Sequence, residues 1–150
     1  MIRRYFFVDC ISALLIILFV YTGLSKLTNH VGFVLALNKS SLLKENSALL
    51  SWLVPWLEIS IAAFLAFPKT RLLGLYGSAI LMAIFTFYVA FILTGSKSLP
   101  CTCGGVIQIM TWKDHLYFNT TFLILSLIGC KLQNKINLTL SESHANPGLG

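Results

Sequence analysis

The chain has 150 residues, of which 57% are hydrophobic and 11% are charged. A soluble domain averages about 45–50% apolar and about 25% charged residues, and the mean hydropathy here is +0.82. So little polar surface could not cover a water-exposed fold, so this composition disfavours a soluble enzyme, a disordered chain and a disulfide-stapled secreted domain. The net charge of +6 comes from Lys and Arg dispersed between apolar runs, without a stripe or cluster. That arrangement reads as juxtamembrane anchoring and topology control, not as nucleic-acid contact.

Four apolar segments are legible in order, at about 5–24, 49–67, 72–93 and 112–131. Each is long enough to cross about 30 Å of hydrocarbon at 1.5 Å per residue. All four must be helical, because unpaired backbone groups cannot face lipid. The first segment follows the basic start Arg3-Arg4, is longer than a signal-peptide core and has no small-x-small site after it, so it reads as a retained spanning helix. Between the first two, Val31, Val34, Leu35 and Leu42 recur at roughly helical spacing, with Asn38, Lys39 and Ser40 interleaved. This predicts a short amphipathic helix on the membrane surface, with an ordinary loop as the alternative. The turn Pro68-Lys69-Thr70-Arg71 makes the second and third segments antiparallel neighbours. The expected domain is 1–133, a four-helix bundle, with 134–150 as a polar, mobile tail.

With the N-terminus inside, Arg3, Arg4, Lys69, Arg71, Lys131 and Lys135 crowd into short segments on the inner side. Lys26, Lys39, Lys44, Lys97 and Lys113 are spread over longer outer loops. The positive-inside rule then makes both termini cytoplasmic, and Trp52, Trp56 and Trp112 fall at the outer boundary.

The strongest local chemical signal is Leu99-Pro100-Cys101-Thr102-Cys103-Gly104-Gly105. Cysteines at i and i+2 sit near the long end of the Cα separation a disulfide accepts, so a bond between them needs a tight bend. Pro100 restrains the entry, and the two glycines permit positive φ beyond it. A strained, exposed disulfide is exchangeable, so the pair reads as redox-active. The alternative is a site for Cu(I) or another soft metal on the two thiolates of Cys101 and Cys103.

Supporting candidates follow from costly placement. Glu58 lies inside the second segment, and Lys26 at the outer end of the first can reach inward to pair with it. The pair reads equally as a functional site or as a structural tie. His115 and Asn119 share a face at i,i+4. His115 either adjusts a cysteine thiolate or is an ordinary interfacial histidine. Asp9 is expected to reach Arg3 or Arg4. Cys10 and Cys130 read as small hydrophobes. His30 and His144 lie in a loop and the tail, which argues against a bis-histidine haem, and no cofactor is expected.

These residues together resemble the MauE branch of the DoxX-like membrane proteins. The matching positions are Phe19 and Gly23 to Lys26, then Pro55 and Glu58, Arg71, Pro100-Cys101-Thr102-Cys103-Gly104, and Trp112, His115 and Asn119. The resemblance covers about residues 5 to 131. It implies a four-helix inner-membrane protein associated with disulfide or redox maturation of exported proteins, notably the methylamine dehydrogenase small subunit. Many members carry a C-G-C-F-G pattern, from which Thr102 and Gly104-Gly105 depart. The expected function is thiol–disulfide exchange by a periplasm-facing Cys101/Cys103 pair, with a thioredoxin-like or exported protein as partner. Glu58, Lys26 and His115 would support it. The alternatives are a soft-metal-binding membrane protein and a non-catalytic scaffold subunit of a larger membrane complex.

Overall fold

The computed structural model describes residues 2–39, 43–95 and 112–145. Among them the chain is all helix, without strands: α1 (Ile2–Thr28), α2 (His30–Lys39), a 3-10 turn (Lys44–Asn46), α3 (Ser47–Ala66), α4 (Arg71–Gly95) and α5 (Trp112–Ala145). Four helices are long and apolar enough to cross a membrane: Arg3–Thr28, Lys44–Ala66 (which takes in the 3-10 turn), Arg71–Phe91 and Lys113–Ser141.

These four close a ring in which α1 packs on α3, α3 on α4, α4 on α5 and α5 back on α1. Alternation of direction puts the start of α1, the α3–α4 turn and the end of α5 at one end of the bundle, the basic end. The opposite end holds α2, Gly95 and Trp112, the last residue of α4 and the first of α5. The core is Val8, Leu15, Phe19, Leu65 and Leu75 with their neighbours. Large apolar residues such as Phe6, Ile17, Ile80, Phe87 and Ile124 point outward, as a lipid-facing surface requires.

Close helix approach rests on small residues. A side chain at Gly74 would meet the Leu65 backbone nitrogen at 2.8 Å, and one at Gly129 would meet Leu75 Cδ2 at 2.8 Å. Small-residue contacts of this kind let backbones pack where the hydrophobic effect between helices is absent. Some buried hydroxyls are satisfied within their own helices: Ser78 donates to the Gly74 carbonyl at 2.7 Å and Ser126 to the Leu123 carbonyl at 2.8 Å, whereas the Ser12 hydroxyl is buried without a partner among the described residues.

The helices are longer than the apolar runs. α1 covers 2–28 instead of 5–24, so Lys26 lies within it. α5 runs 34 residues to Ala145, through most of the segment read as a polar tail. Ile136 is buried in the core and Gln133 Nε2 donates to Asn137 Oδ1 at 3.0 Å, so packing and an i,i+4 bond carry the helix beyond the apolar stretch. The surface helix is present as α2, but with a different inward face: Phe33 and Leu37 are buried, whereas Val31 and Leu35 are exposed. Leu42 lies outside the described residues.

Candidate functional site

The chemistry-bearing groups of the described residues concentrate at the α2 end. Gly23 is the enabling position. A Cβ there would lie 3.1 Å from Ile59 Cγ1, 3.3 Å from the Pro55 carbonyl oxygen and 3.5 Å from Glu58 Cβ. Its absence lets α1 and α3 approach closely where Lys26 must reach Glu58. Lys26 Nζ donates to Glu58 Oε1 at 2.7 Å and to Oε2 at 3.0 Å. It also approaches the Thr22 carbonyl oxygen at 3.4 Å, one turn earlier on α1. The side chains of this pair are 8% and 1% exposed.

Two aromatic rings complete the shell. The Lys26 ammonium lies 5.8 Å from the Phe33 ring centroid and 6.0 Å from that of Phe85, near the outer range for cation–π attraction. A single ammonium therefore contacts α1 through Thr22, α2 through Phe33, α3 through Glu58 and α4 through Phe85. Its three N–H donors meet three oxygens. This is a saturated junction that ties four elements together, with no donor left over for a ligand.

α5 supplies the other polar groups. His115 and Asn119 are both buried on its inward face. The antiparallel α4 and α5 are in register where Gly129 meets Leu75. An equal number of residues up α4 and back along α5 reaches Phe85 and Asn119, so Asn119 lies at the depth of the Lys26 shell. Asn119 Nδ2 is buried without a hydrogen-bond partner among the described residues. On α2, His30 stacks on Trp52 of α3, with ring centroids 4.5 Å apart, and so fastens α2 to α3.

The structure thus brings Lys26 and Glu58 into direct contact and sets His115 and Asn119 at the same end. Cys101 and Cys103, together with their alternative role as metal ligands, lie outside the described residues, in the segment that joins Gly95 to Trp112. Asp9 differs from expectation. Its Oδ1 accepts from Arg71 Nη1 at 2.6 Å, across to α4, in place of Arg3 or Arg4 on its own helix. A residue and its partner on another helix can meet at any sequence separation, whereas Arg3 and Arg4 are exposed at the start of α1. Cys10 is exposed and Cys130 is buried in the core.

Sequence reasoning missed Thr22, Phe33 and Phe85. Thr22 was accessible, because it lies at i−4 from Lys26 and shares its face. The two phenylalanines had no local signal, since their role depends on how α2 and α4 pack.

Fold and site together define a small multi-pass membrane protein, a ring of four spanning helices with a buried lysine–glutamate junction at one end. The chain matches the family described as methylamine utilisation protein MauE over residues 4–132. It belongs to that family. The searches of curated proteins and of solved structures give no match.

Proposed function

We propose that this protein is a thiol–disulfide exchange protein of the inner membrane, with Cys101 and Cys103 as its redox pair at the periplasmic face. The reading is carried by the family match, which runs through both cysteines. It is supported by the chemistry of a C-x-C pair, whose disulfide is easily exchanged when the peptide between is bent. Both cysteines belong to the segment between α4 and α5, whose flanking helix ends lie on the Lys26–Glu58 side of the bundle.

The exchange balances with a protein partner. One thiolate of the reduced pair attacks a disulfide sulfur of a thioredoxin-like or exported protein, and a mixed disulfide forms as the partner's other sulfur leaves as a thiolate. The second cysteine, as thiolate, then attacks the mixed disulfide. The pair ends as the Cys101–Cys103 disulfide and the partner as a dithiol, with two electrons and two protons transferred to the partner. The reverse sequence oxidises the partner. Lys26 and Glu58 act as positioning residues that fix the helix ends flanking this segment, and His115 near the start of α5 serves as a nearby proton acceptor or donor. The basic end faces the cytoplasm, with both termini there.

The test is trapping in cells. Cys101→Ala and Cys103→Ala each leave one nucleophile without its resolving partner, so one of them accumulates a mixed disulfide visible on a non-reducing gel and lost on reduction. Alkylation of intact cells finds the wild-type pair partly oxidised. If neither variant traps a partner and the wild-type pair stays fully reduced, the proposal fails.

A further inference from the structure

We propose that the basic end of α5 carries a binding site for the headgroup of an anionic glycerophospholipid. The site is a shallow groove lined by Lys131, Leu132, Asn134, Lys135 and Leu138. Lys131 and Lys135 are one turn apart and share a face. Both are exposed, and neither takes part in a salt bridge among the described residues.

The same face continues toward the middle of the membrane as Ile128 and Ile124, which are likewise exposed. Two cations at the membrane boundary followed by an apolar stripe match one ligand chemistry. The phosphodiester sits between the ammonium groups, the Asn134 amide serves the polar glycerol region, and an acyl chain runs down the isoleucines. A free anion would use only the first part of this arrangement, and an acidic protein or nucleic acid would leave the apolar part without a partner.

Charge on the two ends strengthens the assignment. At the basic end Arg3, Arg4, Lys69, Lys131 and Lys135 are exposed. Of the acidic residues there, Asp9 is held by Arg71 and Glu142 lies further along α5. At the opposite end Lys26 is paired with Glu58, Lys44 is next to Glu45 and Lys113 next to Asp114 in sequence, and Lys39 and Lys97 add two further cations. Both ends carry a positive excess in sequence, and the excess is larger at the basic end. Several cations beside a spanning helix attract anionic lipid by about fivefold each. The proposal does not depend on disulfide exchange by Cys101 and Cys103.

The full chain in a neutral detergent is titrated with phosphatidylglycerol and with phosphatidylcholine, and bound lipid is counted by native mass spectrometry. Phosphatidylglycerol binds preferentially, and added sodium chloride weakens it. Lys131→Gln with Lys135→Gln lowers phosphatidylglycerol affinity about 30-fold, from two such contributions, and leaves phosphatidylcholine unchanged. Lys131→Arg with Lys135→Arg retains the preference. Equal binding of the two lipids, or a preference that survives the double glutamine change, overturns the proposal. So does displacement of the lipid by millimolar inorganic phosphate, which identifies a free-anion site. Should the glutamine variant fail to fold, a wild-type affinity independent of salt is sufficient to overturn it.

Discussion

Replacing Glu58 with glutamine leaves the Lys26 ammonium inside the bundle without its counter-charge. The two groups meet at 2.7 Å, where an effective dielectric of about 20 gives roughly 6 kcal/mol of attraction. Desolvation of each ion opposes this by several kcal/mol, so the intact pair adds little net stability. Breaking it is a different matter, because the desolvation cost of the remaining charge is no longer offset. We expect Glu58→Gln to destabilise the bundle by about 3–5 kcal/mol. Lys26→Met costs a similar amount for the same reason. The combined change Lys26→Met with Glu58→Leu removes both charges and keeps apolar volume, so it returns most of that loss, and the two single effects are far from additive. Reversible unfolding in mixed micelles by increasing mole fraction of dodecyl sulfate measures all four proteins. A Glu58→Gln protein within about 1 kcal/mol of wild type, or a double variant as unstable as the sum of the singles, refutes the junction as described.

Other positions test the packing. Gly74→Ala places a methyl group 2.8 Å from the Leu65 backbone nitrogen, and since backbone yields poorly, it is expected to cost about 1–3 kcal/mol in the same unfolding assay. Gly23→Ala meets the movable Ile59 side chain at 3.1 Å but also the Pro55 carbonyl oxygen at 3.3 Å, so a smaller loss of about 1 kcal/mol is expected. Asn119→Leu removes a buried donor without a partner and is neutral or stabilising in that assay; a clear loss would mean that Asn119 binds something in the folded protein. The Asp9–Arg71 pair is different, because the Asp9 side chain is 57% exposed. Asp9→Asn should therefore change stability by less than about 1 kcal/mol, an effect that added salt reduces further.

The spanning helices were legible because the bilayer imposes a length and an apolar composition on each of them. Their ends were not, because loss of hydrophobicity marks the edge of the hydrocarbon, whereas the helix ends where its hydrogen bonds and packing end. α5 illustrates the difference: Asn134, Asn137 and Thr139 look like a tail in sequence, yet they continue the helix, with Ile136 packed into the core. The Lys26–Glu58 contact was legible because two charges inside apolar segments have few other solutions. The inward face of α2 was not. Val31, Val34 and Leu35 have helical spacing, but so do Phe33 and Leu37, and the larger ring at Phe33 is the one that reaches the Lys26 ammonium. Nearness in sequence favours Arg3 and Arg4 as partners of Asp9, and only the approach of the start of α4 to α1 across the ring brings Arg71 to it.

The saturated state of the junction separates its two candidate roles. A group that tunes thiolate chemistry directly must keep a donor, an acceptor or an unscreened charge for the sulfur. Lys26 has spent its donors on Glu58 and Thr22, and its charge is neutralised at contact distance by a carboxylate whose oxygens both face it. What it still offers is mechanical, since the same ammonium holds α1, α2, α3 and α4 at one end of the ring. The Lys26→Met with Glu58→Leu protein therefore discriminates. If the pair only positions the helix ends, this variant, once shown to be folded, forms and resolves mixed disulfides at close to the wild-type rate with an unchanged pH profile. If the pair acts on the sulfurs electrostatically, the fold survives but the pH profile of exchange moves. The first outcome is expected from the geometry, and a displaced profile in a stable double variant would refute it.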